Sequence, residues 1–160
     1  MGYETVLTDA RTALWSAIEE FDDLKGAFQA KYKFDSDNSV LKEAEPAFSD
    51  LNAIGIWPLG FVPKWYVNTK QRWPYSLRIV VWTANWVMPT AEKLAVQIAR
   101  AIHRSAPANT PTVPYLHSLD PKVGPSTTFE MTRIHKEDNP VKVVKSRLDV
   151  VLQCNFQPNT

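Results

Sequence analysis

The chain has 160 residues, 44% of them hydrophobic and 22% charged, the size and balance of one domain with a core of its own. It contains no apolar run of the ~18 residues a membrane helix needs, and its opening, MGYETVLTDA, has neither the basic start nor the apolar centre of a signal peptide. No membrane partner is therefore expected, and synthesis and assembly in a cytoplasm are. The single cysteine, Cys154, excludes an intramolecular disulfide; it lies in a strand-like run and reads as a small buried apolar residue. The net charge of +1 hides an asymmetry: residues 1–60 carry 11 acidic and 5 basic side chains, residues 61–160 carry 6 and 13. Five glycines against twelve prolines and six tryptophans describe stiff loops with few joints, which suits a structural part better than a lidded enzyme.

From the N-terminus, Thr8 to Leu24 reads as a helix with Ala10, Leu14, Ala17, Ile18, Phe21 and Leu24 in one stripe. The acidic cluster Glu19, Glu20, Asp22 and Asp23 falls near its C-terminal end, where the helix dipole disfavours it; it reads as a solvated side or a docking face. Gly26 ends the helix. In FQAKYKF, Phe28, Ala30, Tyr32 and Phe34 alternate with polar residues, the period of an edge strand guarded by lysines. Residues 35–50 form an excursion, and LNAIGIWP, residues 51–58, returns as a strand closed by Pro58.

Residues 59–74 have neither helical nor strict strand period and read as a hairpin arm rich in prolines and aromatic rings. Trp57, Trp65, Tyr66 and Trp73 there suit either core or interface. Ser76 to Thr83 is dense in β-branched, aromatic and Leu residues and predicts a central strand buried on both faces. Thr90 is the expected N-cap of a second helix whose Ala91, Leu94, Ala95, Ile98, Ala101 and Ile102 fall within an arc of about 120°. Residues 105–126 form a long proline-rich loop of the kind held in shape by a partner. Strands at 128–137 and 141–156 close the chain, the latter placing Leu148, Val150, Leu152, Cys154 and Phe156 on one face. The fold expected is α+β over one domain, residues 1–160: a mostly antiparallel sheet with two helices packed on one face, an extended hairpin arm and a long Pro-rich loop.

The motifs that announce chemistry are missing. No GxGxxG or GxxxxGK cradles a phosphate, no HExxH or CxxC gathers a metal, and no GxSxG presents a serine; His103, His117 and His135 are dispersed. No enzyme activity, cofactor, metal or small-molecule substrate is expected. Lys64, Lys70, Arg72 and Arg78 interleave with Trp65, Tyr66, Trp73 and Tyr75, so a single-stranded nucleic-acid-binding module built on residues 64–78 is the alternative from a different class. The same residues serve an oligomer interface with arginine and tryptophan anchors.

The succession TDARTALWSAIEEF, FQAKYKF, EAEPAFSDL, NAIGIWP, an arm, YSLRIVVWTA, TAEKLAVQIARAI and two last strands resembles the tail terminator or tail-completion proteins of long-tailed bacteriophages. The resemblance is one of pattern over nearly the whole chain; Asn52, where a proline often follows the leucine, and the 105–126 loop depart from it. It implies a virion protein at the neck of the tail, assembled in the host cytoplasm, whose homo-oligomer is a hexameric ring. That ring caps the tail tube protein, ends its polymerisation and meets the head connector or neck proteins, with genomic DNA passing through its lumen in passive contact. A head-completion or neck adaptor protein of similar fold is the alternative within the class. Such a ring requires unlike complementary surfaces on each subunit. The candidate subunit and partner contacts are Trp57, Trp65, Tyr66, Arg72, Trp73, Val96 and Tyr115, and Lys64, Lys70 and Lys122 are candidates to face the lumen or DNA.

Overall fold

The computed structural model describes residues 6–33, 51–63, 71–104, 116–119, 126–134 and 140–156. In chain order they form helix α1 (Val6–Glu19), a 3-10 turn (Asp22–Leu24), β1 (Ala30–Tyr32), β2 (Ala53–Phe61), β3 (Gln71–Ala84), α2 (Met88–Arg104), β4 (Leu116–Leu119), β5 (Ser126–Ile134) and β6 (Val141–Phe156). The strands make one six-stranded sheet in the order β1-β2-β3-β6-β4, with β5 also on β6. Only the β1–β2 pair is parallel; the other four are antiparallel. This is the α+β architecture expected, with β3 at the centre of the sheet.

The period of two along each strand sorts the side chains onto two faces. Trp73, Tyr75, Leu77, Ile79 and Val81 of β3 share one face with Ile54 and Ile56 of β2 and Leu148, Val150, Leu152 and Cys154 of β6, and both helices pack there. From α2, all six residues of the predicted stripe are buried, Ala91 and Ile98 completely. From α1 the contact is made by Ala10, Ala13, Leu14, Trp15 and Ile18. The opposite face carries a smaller cluster of Ala53, Val80, Trp82, Ile134 and Val143. Burial of β3 on both faces is thus limited to its end near Trp82, since Ser76 and Arg78 on this second face are half-exposed.

Several boundaries differ from expectation for identifiable reasons. Helix α1 stops at Glu19 and not at Leu24, because Glu20, Asp22 and Asp23 lie where the helix dipole is negative. The chain passes through an extended Phe21 (φ −73°, ψ 118°) into the 3-10 turn, and Gly26 at φ 74° reverses it. Phe21, Leu24 and Phe28 are still buried against the helix-side core. β1 keeps only three residues of the expected strand, at the sheet's edge as anticipated; Phe34 lies outside the described residues. β2 runs through Pro58 to Phe61, with a bulge between Pro58 and Gly60. Pro58 is tolerated because β1 pairs only with Ala53–Gly55, so a missing N–H at Pro58 removes no ladder bond among the described strands.

Helix α2 begins at Met88, so Thr90 lies within the first turn and is not its N-cap. Pro89 occupies the opening turn, where its preset φ fits and its missing N–H is harmless. The proline-rich loop contains β4, which pairs with Leu152 and Cys154 of β6; its residues 105–115 and 120–125 lie outside the described residues. β5 begins two residues earlier than expected and is described to Ile134, the rest of the expected 128–137 strand lying outside the described residues, while β6 spans the predicted 141–156. Asn52 ties the sheet's end together: its side-chain Oδ1 accepts the Ala84 N–H at 2.8 Å and its carbonyl accepts the Gln29 N–H at 2.8 Å. A proline at this position would lack the first of these bonds.

Gly55 is a glycine for want of space. A Cβ there would lie 2.6 Å from Trp57 Cζ3, and that indole is held edge-on to Trp82 with ring centroids 5.8 Å apart. Gly55→Ala is therefore expected to destabilise the fold by about 1–3 kcal/mol in urea unfolding, and by less in a Trp57→Leu background, where the obstructing ring is gone. Equal effects in both backgrounds would break the coupling argued here.

Candidate functional site

In the β2–β3 hairpin Pro58 to Phe61 of β2 are exposed, while Trp73 and Tyr75 of β3 are buried in the helix-side core. The hairpin's two strands are paired to Phe61↔Tyr75, and Val62 N–H donates to the Pro74 carbonyl at 3.1 Å. Leu59, Phe61 and Val62 are about half exposed, at 51%, 45% and 57%, so the arm presents an apolar flank. Of the ring candidates placed near it, Trp73 belongs elsewhere. It is 8% exposed, lies in the helix-side core and stacks on Phe61 at 5.5 Å with the rings 11° from parallel. The expectation that Trp73 is a subunit contact is corrected: register puts it on the same face as Tyr75 and Leu77, and the sheet buries it. Arg72 occupies a place in β3 opposite Asn155, its side chain lying outside the described part. Lys64, Trp65, Tyr66, Lys70, Tyr115 and Lys122 all lie outside the described residues.

Trp57 projects from the opposite face. Half-buried, it meets Trp82 edge-on, and Tyr32 meets the same indole at 5.8 Å and 89°. Lys145 Nζ lies 5.9 Å from the Trp82 ring centroid. Beside this aromatic group run two cross-strand ion pairs. Arg78 donates from Nε and Nη2 to the two carboxylate oxygens of Asp149, at 2.7 and 3.2 Å, and Arg147 meets Glu130 at 2.9 Å. Asp149 holds the Arg78 pKa above its ordinary value, first by the hydrogen bond and then by charge. Val96 is 59% exposed on the solvent side of α2, as the helical period required.

The acidic cluster is largely answered within the subunit: Glu19 by Lys33 at 2.6 Å, Asp22 by Lys25 at 3.0 Å and Asp23 by Arg100 at 3.7 Å. Such exposed pairs contribute little to stability, but they reduce the cluster's value as an isolated negative face. Three features went unread in the sequence. The apolar flank Leu59–Val62 looked like loop; Phe129 and Met131, 39% and 50% exposed, alternate as core residues do; and Trp86 gave no local signal of the cations it gathers. Its Nε1–H donates to the Thr132 carbonyl at 3.0 Å, and Arg133 and Lys142 lie 4.7 and 4.9 Å from its ring centroid. Among the described residues no three His, Cys, Asp or Glu side chains converge as metal ligands.

Burial pushes the Cys154 thiol up to about 12, so at neutral pH it is a neutral, inert group in the helix-side core. Native protein is expected to resist thiol reagents that modify Cys154 at once in denaturant. The sign of the linkage follows. Above the ordinary thiol value of 9.0 the unfolded chain loses a proton the folded chain keeps, so stability falls as pH rises from there towards 12; a Cys154→Ala variant lacks that component of the decline. Trp73→Ala is expected to lose about 3–5 kcal/mol of stability, whereas Val96→Ala and Leu59→Ser stay within about 0.5 kcal/mol, both measured by thermal or denaturant unfolding.

No protein-family model matches the chain, and no curated protein does. Among solved structures it is similar to a chain described as "Virion of native gene transfer agent (GTA) particle", with a TM-score of 0.60 and 12% sequence identity over 97% of this chain and 100% of that one. At that identity the likeness is one of fold, and it extends from end to end of both chains.

Proposed function

We propose that this chain is a structural virion protein of the tail-terminator type, a subunit whose ring closes the tail tube and offers a surface to the head connector. The observation that carries the reading is the end-to-end fold likeness to a chain of a virion particle. The exposed surface supports it independently. A ring is built from heterologous contacts between two unlike patches, and this chain exposes two that differ. One is the apolar flank of the arm at Leu59, Phe61 and Val62; the other is the solvent side of α2 at Val96. On this reading the chain works by shape and assembly, and performs no catalysis.

Native mass spectrometry across a concentration series, with electron microscopy of the same samples, tests the proposal. A hexamer or closed ring is expected, and Leu59→Glu combined with Val62→Glu is expected to leave a folded monomer with an unchanged melting temperature. A chain that stays monomeric at its highest soluble concentration and instead forms a salt-sensitive complex with single-stranded oligonucleotide would replace this reading with the nucleic-acid-binding one.

A further inference from the structure

The β5 edge carries an arrangement that the ring reading does not explain. β5 pairs with β6 and with no other described strand, so among the described residues its second edge is unpaired, and unpaired edges accept extended chains. Register with β6 places Phe129, Met131 and Arg133 on one face, opposite Ser146, Val144 and Lys142. Two of the three are large exposed apolar residues and the third is a cation. Next to them lies an open cleft of about 560 Å³ lined by Trp86, Met131, Thr132, Arg133 and Pro140.

Charge decides what fits there. The Trp86 indole, fixed by its bond to the Thr132 carbonyl, holds the Arg133 guanidinium and the Lys142 ammonium near its ring. Neither cation has a carboxylate partner among the described residues, although Arg78 and Arg147 on the other face of the same sheet each have one. Two like charges gathered on one ring are only partly compensated by its quadrupole, and a carboxylate brought between them completes the site. A nucleic-acid strand suits it less well. The cations already occupy the indole, and the exposed Phe129 and Met131 offer nothing to phosphates.

We propose that the open edge of β5 and the Trp86 cleft form a docking surface for an extended, acidic segment of a partner polypeptide, its apolar residues on Phe129 and Met131 and its carboxylate between Arg133 and Lys142. The proposal rests on reading the chain as an assembly component and adds the chemistry of one partner.

The test uses the full ¹⁵N-labelled chain and follows the Trp86 indole N–H, identified by its loss in Trp86→Phe. The probe is a capped peptide Thr-Val-Thr-Val-Thr-Glu-Thr, with its Glu-to-Lys analogue and a short oligothymidylate as controls. Saturable shifts at Trp86 and along β5 are expected with the Glu peptide, with affinity about tenfold or more weaker for the Lys analogue and for an Arg133→Glu, Lys142→Glu variant of unchanged melting temperature. Equal binding of the two peptides, or no binding, overturns the proposal, as does displacement by oligothymidylate. So does a Glu137→Gln, Asp138→Asn variant that by itself reproduces the change at Trp86, because the chain's own turn is then the occupant. Loss of the ring in the Arg133→Glu, Lys142→Glu variant reassigns the surface to a second copy. Assembly state is read separately by native mass, so failure to bind peptide leaves the ring reading standing, and a monomer that binds it leaves this proposal standing alone.

Discussion

The antiparallel pairing of β3 with β6 is the constraint on which the rest of the subunit depends. It runs without interruption from Gln71↔Phe156 to Ala84↔Val143, and its register decides which residues face the helices. Because side chains alternate with a period of two, a slip of β6 by one residue along β3 would exchange Leu148 and Val150 for Arg147 and Asp149 on the helix side. That exchange would bury two charged groups and expose two apolar ones, so the register is strongly specified. The same pairing explains the shape. β6 is 16 residues long, more than one neighbour covers, and its far edge is shared between β5 at one end and β4 at the other.

The two faces of this sheet are held by different physics. Beneath the helices, burial of aliphatic and aromatic area dominates, with each fully buried Leu or Ile side chain contributing roughly 1.5–3 kcal/mol. On the other face, a compact cluster around Trp82 gives way to cross-strand ion pairs in water, individually worth about 0–1 kcal/mol. Among the described residues the uneven charge of the two halves of the chain is bridged by Asp23–Arg100, whereas Glu19–Lys33 lies within the acidic half. What remains without a partner among the described residues is local and specific: the arm's apolar flank, the β5 edge and the two cations at Trp86. On the proposed reading these are the places where other polypeptides meet the chain.

Fold likeness alone does not fix function, since one architecture hosts many roles. Here the likeness spans both chains from end to end and shows the fold, while the surfaces named above are those the proposed assembly would use. Their geometry also separates two interactions. The arm offers apolar area and the Trp86 cleft offers charge, so on the proposed reading the first would join copies and the second would select a partner.

The sequence by itself determined the elements whose patterns are local. The stripe of α2, the run of β3 and the alternation of β6 are legible because helix and strand periods are written into neighbouring residues, and both helices lie on one face as their single stripes required. The absence of phosphate, metal and nucleophile motifs was legible in the same way. What only the tertiary structure decided was which sides of these elements meet other elements. Trp73 reads as an arm residue until β6 pairs alongside and buries it; Phe129 and Met131 read simply as strand residues, and it is the pairing of β5 on the edge of β6 that leaves them exposed. Trp86, Arg133 and Lys142 are too far apart in sequence to announce one another, and they come together only because β3 ends where β5 finishes and β6 begins. Periodicity records the local chain, whereas exposure and charge pairing are properties of neighbours that the fold alone brings together.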